Sequence, residues 1–445
     1  MDIIGMIPSF GGFAWTIIAF VVALSIIVAV HEYGHYIVGR WSGIHAEVFS
    51  LGFGPVLWSR MDGRGTRWQV AALPFGGFVK FLGDSDAASG KDGGMISRLS
   101  TQERRRTMHG APLWARAATV AAGPMFNFVF SVLVFGGFFF FNGVATDLPV
   151  VGSMKATPYE GRSLEPGDRI LSVGGAETPD LATFLDVTST LPPAPVIDYR
   201  VERAGAEITL PGPFPFPAIA DGVQPQSAAM DAGMQAGDIV LSVDGWAINS
   251  FAELREIVGV SDGKTLLLTI WRAGETVEVA LVPRRMDIPA TAGGFETRWL
   301  IGLSGGLVFV PETRTPGVFE TIGLGARQSW IIATTSLSGL WHMASGAISS
   351  CNLQGPIGIA ETSGAMASQG VESFIWFLAM LSTAVGLMNL FPVPVLDGGH
   401  LVFHAWEAAT GKPPSDRVLR VLMTGGLAIL LTLMVFALGN DLFCP

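Results

Sequence analysis

Residues 13–35 read FAWTIIAFVVALSIIVAVHEYGH. The first part, Phe13–Val30, is an uncharged run of 18 residues, long enough to form the body of a membrane-spanning helix. It ends at His31-Glu32-Tyr33-Gly34-His35, where two histidines lie four residues apart and therefore on one face of a helix. They can hold one metal ion while Glu32 stays beside it. Because ionisable groups are costly in a membrane helix and are normally retained for function, this stretch predicts a metal site that activates water at membrane depth.

The composition indicates an integral membrane protein with a soluble portion. The 445 residues are 49% hydrophobic and only 14% charged, with a mean hydropathy of +0.47. Four uncharged stretches reach the length of a membrane span: Phe13–Val30, Ala117–Phe141, Ser373–Leu396 and Val421–Asn440. A fifth apolar stretch, Trp330–Ser350, is interrupted by polar residues and predicts an interfacial or partly buried helix.

The distribution of charge predicts the orientation in the membrane. Residues 39–116 carry 11 Lys and Arg against 6 Asp and Glu, which marks this loop as cytoplasmic. Residues 142–326 hold an excess of acidic residues, so we expect this segment and both termini on the outer side. An acidic exterior segment argues against nucleic acid as a partner. The first run could instead be a cleaved signal peptide, but no Lys or Arg precedes Arg40.

The chain has two cysteines, Cys351 and Cys444, too few for a disulfide framework. Both fall on the predicted outer side, where one bridge can form. Two isolated thiols are the simpler expectation.

The acidic segment contains a repeat at an offset of 70 residues. Gly167–Gly175 aligns with Gly237–Gly245, and each copy continues through a Gly turn and a helix to a hairpin. Each unit therefore predicts a β-rich domain of about 70 residues. Between the copies, Pro211–Pro217 alternates proline with other residues and predicts a stiff extended joint.

The order of elements in each copy resembles a circularly permuted PDZ domain of the bacterial kind. The second copy is the better match, with Ser227-Ala228-Ala229 and Ala232-Gly233 before its Gly-Asp turn. The first copy has Met154–Leu164 in that place and departs from the pattern. PDZ domains bind extended peptides by strand addition, so the resemblance implies peptide C-termini as possible partners of the second copy. The alternative is that both units are spacers that bind nothing.

A third metal ligand is expected near the end of the third span. Catalytic zinc usually has three protein ligands and keeps one position for water. Asp397 and His400 are both legitimate candidates, with His404 one turn further on, and chemistry alone does not choose between them. Prolines 392 and 394 break the helix here, as occurs where backbone lines a cavity in a membrane.

Several motifs together resemble the site-2 protease family of intramembrane zinc metalloproteases, over nearly the whole chain. With two PDZ-like units between the second and third spans, the resemblance is to the bacterial regulator of sigma-E protease branch. The motifs are the HExxH at 31–35, Asn389-x-x-Pro392-x-Pro394-x-Leu396-Asp397-Gly398, Gly123-Pro124-x-x-Asn127, Gly355-Pro356, Gly52-Phe53-Gly54-Pro55 and Pro74–Lys80.

This resemblance implies a set of roles. His31, His35 and Asp397 are expected to bind one zinc ion, Glu32 to act as general base, and Asn389 to lie near the substrate; His400 and His404 become neighbours. The implied substrates are single-span membrane proteins, such as a pre-trimmed anti-sigma factor or a signal-peptide remnant. The implied location is the bacterial inner membrane, with the PDZ-like units on the periplasmic side and the active site opening toward the cytoplasm.

The expected fold is a polytopic α-helical membrane protein with four transmembrane helices, two inserted PDZ-like α+β domains and a membrane-associated β-hairpin loop. Thr66–Leu73 and Phe75–Phe81 are predicted to pair in that hairpin. Its free edge, at Gln69, Val70, Ala71 and Ala72, would hold an unwound substrate as an added strand. The expected domains are residues 1–141, 146–217, 218–286, 287–371 and 372–445.

Two other classes of function are alternatives. A PDZ-bearing membrane scaffold with a vestigial metal site is expected to have lost Glu32 or Asp397, and both are present. A transporter is expected to show paired short hydrophobic segments in two related halves. The repeat found here lies in the soluble part.

Overall fold

The computed structural model describes residues 7–85, 94, 98–159, 161, 163–290 and 294–444. The chain divides into two compact units. The membrane unit comprises residues 1–138, 319–341 and 350–445, and the repeat unit comprises residues 139–318 and 342–349. Each unit is described by itself below.

The helices and strands are numbered in chain order. The helices are α1 (Ile7–Trp41), α2 (Thr101–Arg104), α3 (Leu113–Asn142), α4 (Leu181–Thr190), α5 (Ala228–Asp231), α6 (Phe251–Gly259), α7 (Val318–Ala344), a 3₁₀ turn (Ser350–Asn352), α8 (Pro356–Ser368), α9 (Val371–Asn389), α10 (Asp397–Thr410) and α11 (Asp416–Phe443). The strands are β1 (Ala46–Met61), β2 (Arg67–Phe81), β3 (Val144–Ala145), β4 (Val151–Met154), β5 (Arg169–Val173), β6 (Ala176–Glu177), β7 (Val196–Arg203), β8 (Ala206–Pro213), β9 (Gly222–Val223), β10 (Ile239–Val243), β11 (Trp246–Ala247), β12 (Leu266–Arg272), β13 (Glu275–Leu281), β14 (Arg284–Pro289), β15 (Phe295–Leu300), β16 (Leu303–Ser304), β17 (Phe309–Pro311) and β18 (Thr313–Arg314).

Four helices within the described residues are long and apolar enough to cross a membrane, which confirms the predicted number. They are Gly12–Trp41, Leu113–Asn142, Val371–Asn389 and Arg417–Phe443. The third is shorter than the predicted run because α9 ends at Asn389, before the two prolines, and the chain turns before α10 begins. The predicted helix at Trp330–Ser350 is part of α7, which begins earlier and ends at Ala344.

Small residues allow the helices of the membrane unit to approach closely. A Cβ atom at Gly34 of α1 would lie 2.5 Å from the carbonyl oxygen of Ala122 in α3. Gly364 of α8 lies equally close to Thr16 of α1, so a Cβ atom at Gly364 would overlap Thr16. A buried apolar cluster joins α1 to α9 through Ala23, Ile27, Phe377 and Leu378. Helices α3, α8 and α9 therefore all pack against α1, the helix that carries the two histidines.

The strands after α1 form one sheet, and its arrangement differs from the predicted hairpin. Residues 66–73 and 75–81 are not two paired strands, because β2 runs through both and pairs with β1. Residues 48–51 of β1 pair with 77–80 on one side and with 67–70 on the other, and residues 56–61 pair with 67–71. Both strands bend near Gly52 and Gly76, whose positive φ angles of 85° and 112° suit glycine. The two edges of the sheet are therefore residues 56–61 and 77–81.

The prediction that Gln69–Ala72 forms a free edge is wrong. Gln69 pairs with both Ser50 and Ser59, and Val70 also has a partner on each side. Ala71 pairs with Val56. A segment with a strand on both sides has no row of backbone groups left for a further strand.

The two copies of the repeat have the same strand order. The first sheet has the order β6-β5-β7-β8 and the second has the order β11-β10-β12-β13. Each copy buries one aspartate that accepts two hydrogen bonds from an arginine, Arg203 to Asp168 and Arg272 to Asp238. Helix α5 follows Ser227 in the second copy, whereas the described residues of 154–164 contain no helix. This agrees with the first copy departing from the pattern there.

The segments around the repeats take a larger part in the sheets than the sequence suggests. Pro211–Pro217 is not only a joint, because Pro211, Gly212 and Pro213 belong to β8 and pair with β7, and Phe214 is 4% exposed. After the second copy, β16, β17 and β18 return to pair with β9, β4 and β3. The chain on both sides of the two sheets is thus joined by strand pairing.

Cys351 and Cys444 form a disulfide, which corrects the expectation of two isolated thiols. Their Cα atoms are 5.6 Å apart. Polar contacts of α11 hold the two segments together: the Asn440 side chain donates to the Ser350 carbonyl at 2.7 Å, and Asp441 accepts the Gly355 N–H at 2.7 Å. The two cysteines are 93 residues apart in the sequence, so no local pattern indicates that they pair.

Candidate metal centre

Three side chains of the membrane unit converge on one point. The Nε2 atoms of His31 and His35 are 3.2 Å apart, and they lie 3.1 and 3.5 Å from Oδ2 of Asp397. All three ligand atoms lie within 4.8 Å of one another, and the described residues contain no other group of three His, Cys, Asp or Glu side chains of this kind. Both histidines belong to α1, and they point to the same place because residues four apart share one face of a helix.

Asp397 reaches this point because the chain turns sharply between α9 and α10. Gly398 and Gly399 lie against backbone of the turn at Leu390 and Val393, at separations that leave no room for a Cβ atom. Asp397 is the first residue of α10, and its side chain therefore extends from the beginning of the helix. The two glycines after Asp397 are thus a packing requirement of this turn.

The sequence left Asp397 and His400 as alternatives, and the structure brings Asp397, not His400, together with the two histidines. His400 lies outside the three-residue group, with its ring 5.9 Å from that of Phe403. His404 is also outside the group; burial, together with the Arg116 guanidinium, lowers its pKa to about 4. His404 is therefore neutral at ordinary pH.

Glu32 lies beside the group, between α1 and one edge of the sheet. The backbone N–H of Val79 is directed at its carboxylate. A Cβ atom at Gly77 would lie 3.1 Å from Cγ of Glu32 and 2.8 Å from Val28, so the absence of a side chain at Gly77 allows this contact. The sheet edge at residues 77–81 is therefore the edge next to the candidate general base.

Helix α3 contacts both histidine rings. The Nδ1 atom of His35 is 2.8 Å from the Thr119 carbonyl oxygen, and that of His31 is 3.2 Å from the Asn127 amide. Between them, Gly123 faces the two rings, and a Cβ atom there would overlap His35 and lie 2.9 Å from Cε1 of His31. Thr119, Gly123 and Asn127 are four residues apart, so they form one stripe on the helix.

No sequence pattern indicated a role for Thr119, and Gly123 and Asn127 stood out only as parts of the Gly123-Pro124-x-x-Asn127 motif. The four-residue spacing was a visible signal. However, the spacing does not show which helix the stripe faces, and many stripes of small and polar residues in membrane helices serve only helix packing.

The convergent atoms fit a metal ion. Oδ2 of Asp397 is buried and, within the described part of the chain, has no hydrogen-bond partner. With the proton of each neutral ring on Nδ1, both Nε2 atoms present lone pairs to the carboxylate oxygen, so at about 3 Å the three atoms repel one another unless a cation or a proton lies among them. Two histidines and one carboxylate are a donor set that catalytic zinc sites use.

Asn389 lies near the metal-binding segment but outside the group. It is the last residue of α9, and its side-chain N–H donates to the Val385 carbonyl at 3.0 Å. It therefore borders the turn that leads to Asp397.

Comparisons with known proteins identify the family. Residues 19–433 match the sequence model of Peptidase family M50. The chain is 35% identical over 434 residues to a protein of Agrobacterium fabrum whose name describes a zinc metalloprotease, covering 96% of this chain and 95% of the relative. It is 33% identical over 462 residues to the regulator of sigma-E protease RseP of Escherichia coli, covering 96% of this chain and 98% of the relative. The chain belongs to peptidase family M50 and is a membrane-embedded zinc metalloprotease.

Proposed function

We propose that this protein is an intramembrane protease in which His31, His35 and Asp397 hold the zinc ion and Glu32 is the general base. The observation that carries the proposal is the convergence of three ligand atoms around the buried, unpartnered Oδ2 of Asp397. The histidines belong to a helix that is apolar enough to span a membrane, so the peptide bond would be cut within or near the bilayer.

The residues of the chain have distinct tasks in peptide-bond hydrolysis. Zinc, when bound, lowers the pKa of a water molecule and polarises the scissile carbonyl. The Glu32 carboxylate, oriented by the Val79 N–H, accepts a proton from water and passes it to the leaving amine. Asn389 carries a side-chain N–H that can donate to the substrate backbone once it leaves the Val385 carbonyl.

The first experiment compares the wild-type protein with Glu32→Gln in detergent, using a single-span model substrate and quantifying bound metal. We expect cleavage by the wild type alone, with a rate loss in the variant of at least the roughly 10²- to 10⁴-fold that a general base contributes. Both proteins should retain about one zinc ion per chain. Normal turnover by Glu32→Gln would remove Glu32 as the base, and absence of zinc from the wild type would remove the metal assignment.

The substrates that suit this site are single-span membrane proteins, and these must unwind locally because a helix hides its carbonyl groups. An unwound segment needs partners for its backbone. The edge beside Glu32 directs backbone groups away from the sheet. Its Val79 N–H points to Glu32 and its Phe81 N–H donates to Asp84 at 2.9 Å, so the groups open to a substrate are those nearer Gly77. Backbone groups alternate in direction along a strand, so the N–H of Gly77 also points away from the sheet. We therefore place the added substrate strand at 77–81 instead of Gln69–Ala72.

Cross-linking distinguishes the two edges of the sheet. The two native cysteines are paired, so a new cysteine at Phe78 or Leu57 provides one reactive thiol in the Glu32→Gln background. Leu57 is the matched control, because it lies on the opposite edge and is 71% exposed. We expect a single-cysteine substrate to form a disulfide with Phe78→Cys and not with Leu57→Cys. Cross-linking of Leu57→Cys alone would place the substrate on the other edge.

The repeat unit is proposed to contain two PDZ-like domains on the periplasmic side of a bacterial inner membrane. Their proposed task is to exclude membrane proteins with large outer domains, so that pre-trimmed substrates such as an anti-sigma factor stub or a signal-peptide remnant reach the site. The acidic composition and the second copy's PDZ-like elements support this reading, and the second copy, which has the helix after Ser227, is the proposed site for a peptide C-terminus.

A deletion tests this filter. Removing residues 147–311 takes out both sheets but leaves β3 and β18, whose pairing closes the gap. We expect the shortened protein to cut untrimmed substrates that the wild type rejects. Retained selectivity would assign the filter to the membrane unit.

A further inference from the structure

We propose that Asn127 is a positioning residue that accepts a hydrogen bond from Nδ1 of His31 through its own Oδ1, and so fixes the ring for zinc binding. The inference rests on the proposed metal site and adds a residue to it. It begins from the direction in which the two imidazole rings point. Nε2 of each histidine faces Asp397, so a metal ion at that point takes the Nε2 lone pairs.

A neutral imidazole that gives its Nε2 lone pair to a metal carries its proton on Nδ1. That proton needs an acceptor when the ring is inside a protein. For His35 the acceptor is unambiguous, since its Nδ1 is 2.8 Å from the carbonyl oxygen of Thr119. The same requirement applies to His31, whose Nδ1 is 3.2 Å from the Asn127 amide.

An amide offers either a donor or an acceptor, depending on its rotation. Nδ2 and Oδ1 exchange places by a half turn, and a hydrogen-bond network decides between them. Asn127 is fully buried, and its Oδ1 has no partner among the described residues. Once Nδ1 of His31 carries the proton, Nδ2 toward it would set two donors against each other at 3.2 Å, whereas Oδ1 in that place accepts the Nδ1 proton. Zinc binding therefore selects the second rotation.

The backbone at Asn127 is held firmly enough for this task. Its carbonyl oxygen accepts hydrogen bonds from Ser131 at 2.9 Å and from Ser382 of α9 at 3.1 Å. A neutral amide also leaves Asp397 as the single negative ligand of the group. Helix α3 thus supplies an acceptor for each histidine, Thr119 and Asn127, with Gly123 between them as the gap that admits the rings.

The test measures zinc affinity of the full-length protein in detergent by competition with a chelator, without recourse to cleavage. Asn127→Leu has a similar size but no acceptor, and we expect its zinc dissociation constant to rise about 10- to 100-fold. Asn127→Asp keeps an acceptor at the same place and should bind zinc within a few-fold of the wild type. Asn127→Ala is a second acceptor-free variant that cannot overfill the site, and it should show the same loss as Asn127→Leu.

Wild-type affinity in the two acceptor-free variants would overturn the inference, as would an equal loss in Asn127→Asp. His31→Ala separates this failure from failure of the metal site. If His31→Ala loses zinc while Asn127→Ala does not, only the role of Asn127 is wrong. If His31→Ala also binds zinc as the wild type does, the ligand assignment itself is wrong.

Discussion

The repeat unit contains two buried aspartates and the membrane unit contains the partly buried Asp397, and the hydrogen bonding of these carboxylates differs. Asp168 and Asp238 are each 1% exposed, and each accepts two hydrogen bonds of 2.6–2.7 Å from one arginine. Asp397 instead has an oxygen with no donor, placed beside two imidazole nitrogens. The first arrangement is closed by the chain itself, and the second is open to a cation.

This difference separates groups that serve folding from groups that serve chemistry. In the repeats, the hydrogen bonds that Arg203 donates to Asp168 raise the pKa of Arg203, and those that Arg272 donates to Asp238 raise the pKa of Arg272, so both arginines stay charged. Their contribution is to the free energy of unfolding. A buried carboxylate oxygen without a donor costs free energy in the absence of a ligand, so its retention indicates binding.

The largest effect is expected from removing the open carboxylate. Asp397→Ala takes away one of the three proposed ligands, so zinc affinity should fall by more than the roughly 10- to 100-fold typical of an outer partner. Cleavage of a single-span substrate should be lost with the metal. His400→Ala is the matched control on the same helix and should retain zinc, measured by chelator competition. Loss of zinc in His400→Ala but not in Asp397→Ala would reverse the assignment of the third ligand.

A smaller effect is expected from filling the gap beside the histidines. Gly123→Ala introduces a Cβ atom that overlaps His35 and presses on His31, and overpacking of this kind costs about 1–3 kcal/mol. If this cost falls on the zinc-bound state, zinc binding should weaken by about 5- to 160-fold, at 1.36 kcal/mol per factor of ten. Gly137→Ala is the control on the same helix, because a Cβ atom there meets nothing within 4 Å. Equal zinc affinity in both variants would show that the rings can move without loss.

The smallest effect on zinc is expected from opening the closed pairs. Asp168→Asn or Asp238→Asn leaves an arginine without its carboxylate and should destabilise its own sheet by about 3 kcal/mol. Hydrogen exchange of β5–β8 or of β10–β13 measures this loss locally, while zinc content should stay at the wild-type level.

Arg298→Ala is the control for these two variants, because its ion pair with Glu296 is on the surface and is worth about 0–1 kcal/mol. It should leave exchange in both sheets unchanged. A loss of zinc in Asp168→Asn or Asp238→Asn would contradict the separation between the two kinds of aspartate.

Local patterns in the sequence were sufficient for several features. Four apolar runs predicted four spanning helices, because length and composition decide whether a helix can cross a bilayer. The four-residue spacing of His31 and His35 placed both on one face of α1, and family resemblance singled out Asp397, which the structure brings next to both histidines. These features depend on helix geometry and on short motifs, and both can be recognised from residues that are close together in the sequence.

Only the tertiary structure decided the features that depend on which elements pack together. The open edge beside Glu32 is residues 77–81 and not the predicted Gln69–Ala72. Both strands bend at glycines, so each can pair with both halves of the other, and this pairing covers Gln69 and Val70 on both sides. The polar contacts of α11 brought Cys351 to Cys444. The sequence by itself determined the spans, the repeat and the two histidines. The partners of those histidines on α3 come from a helix far along the chain, and only folding brings them into contact.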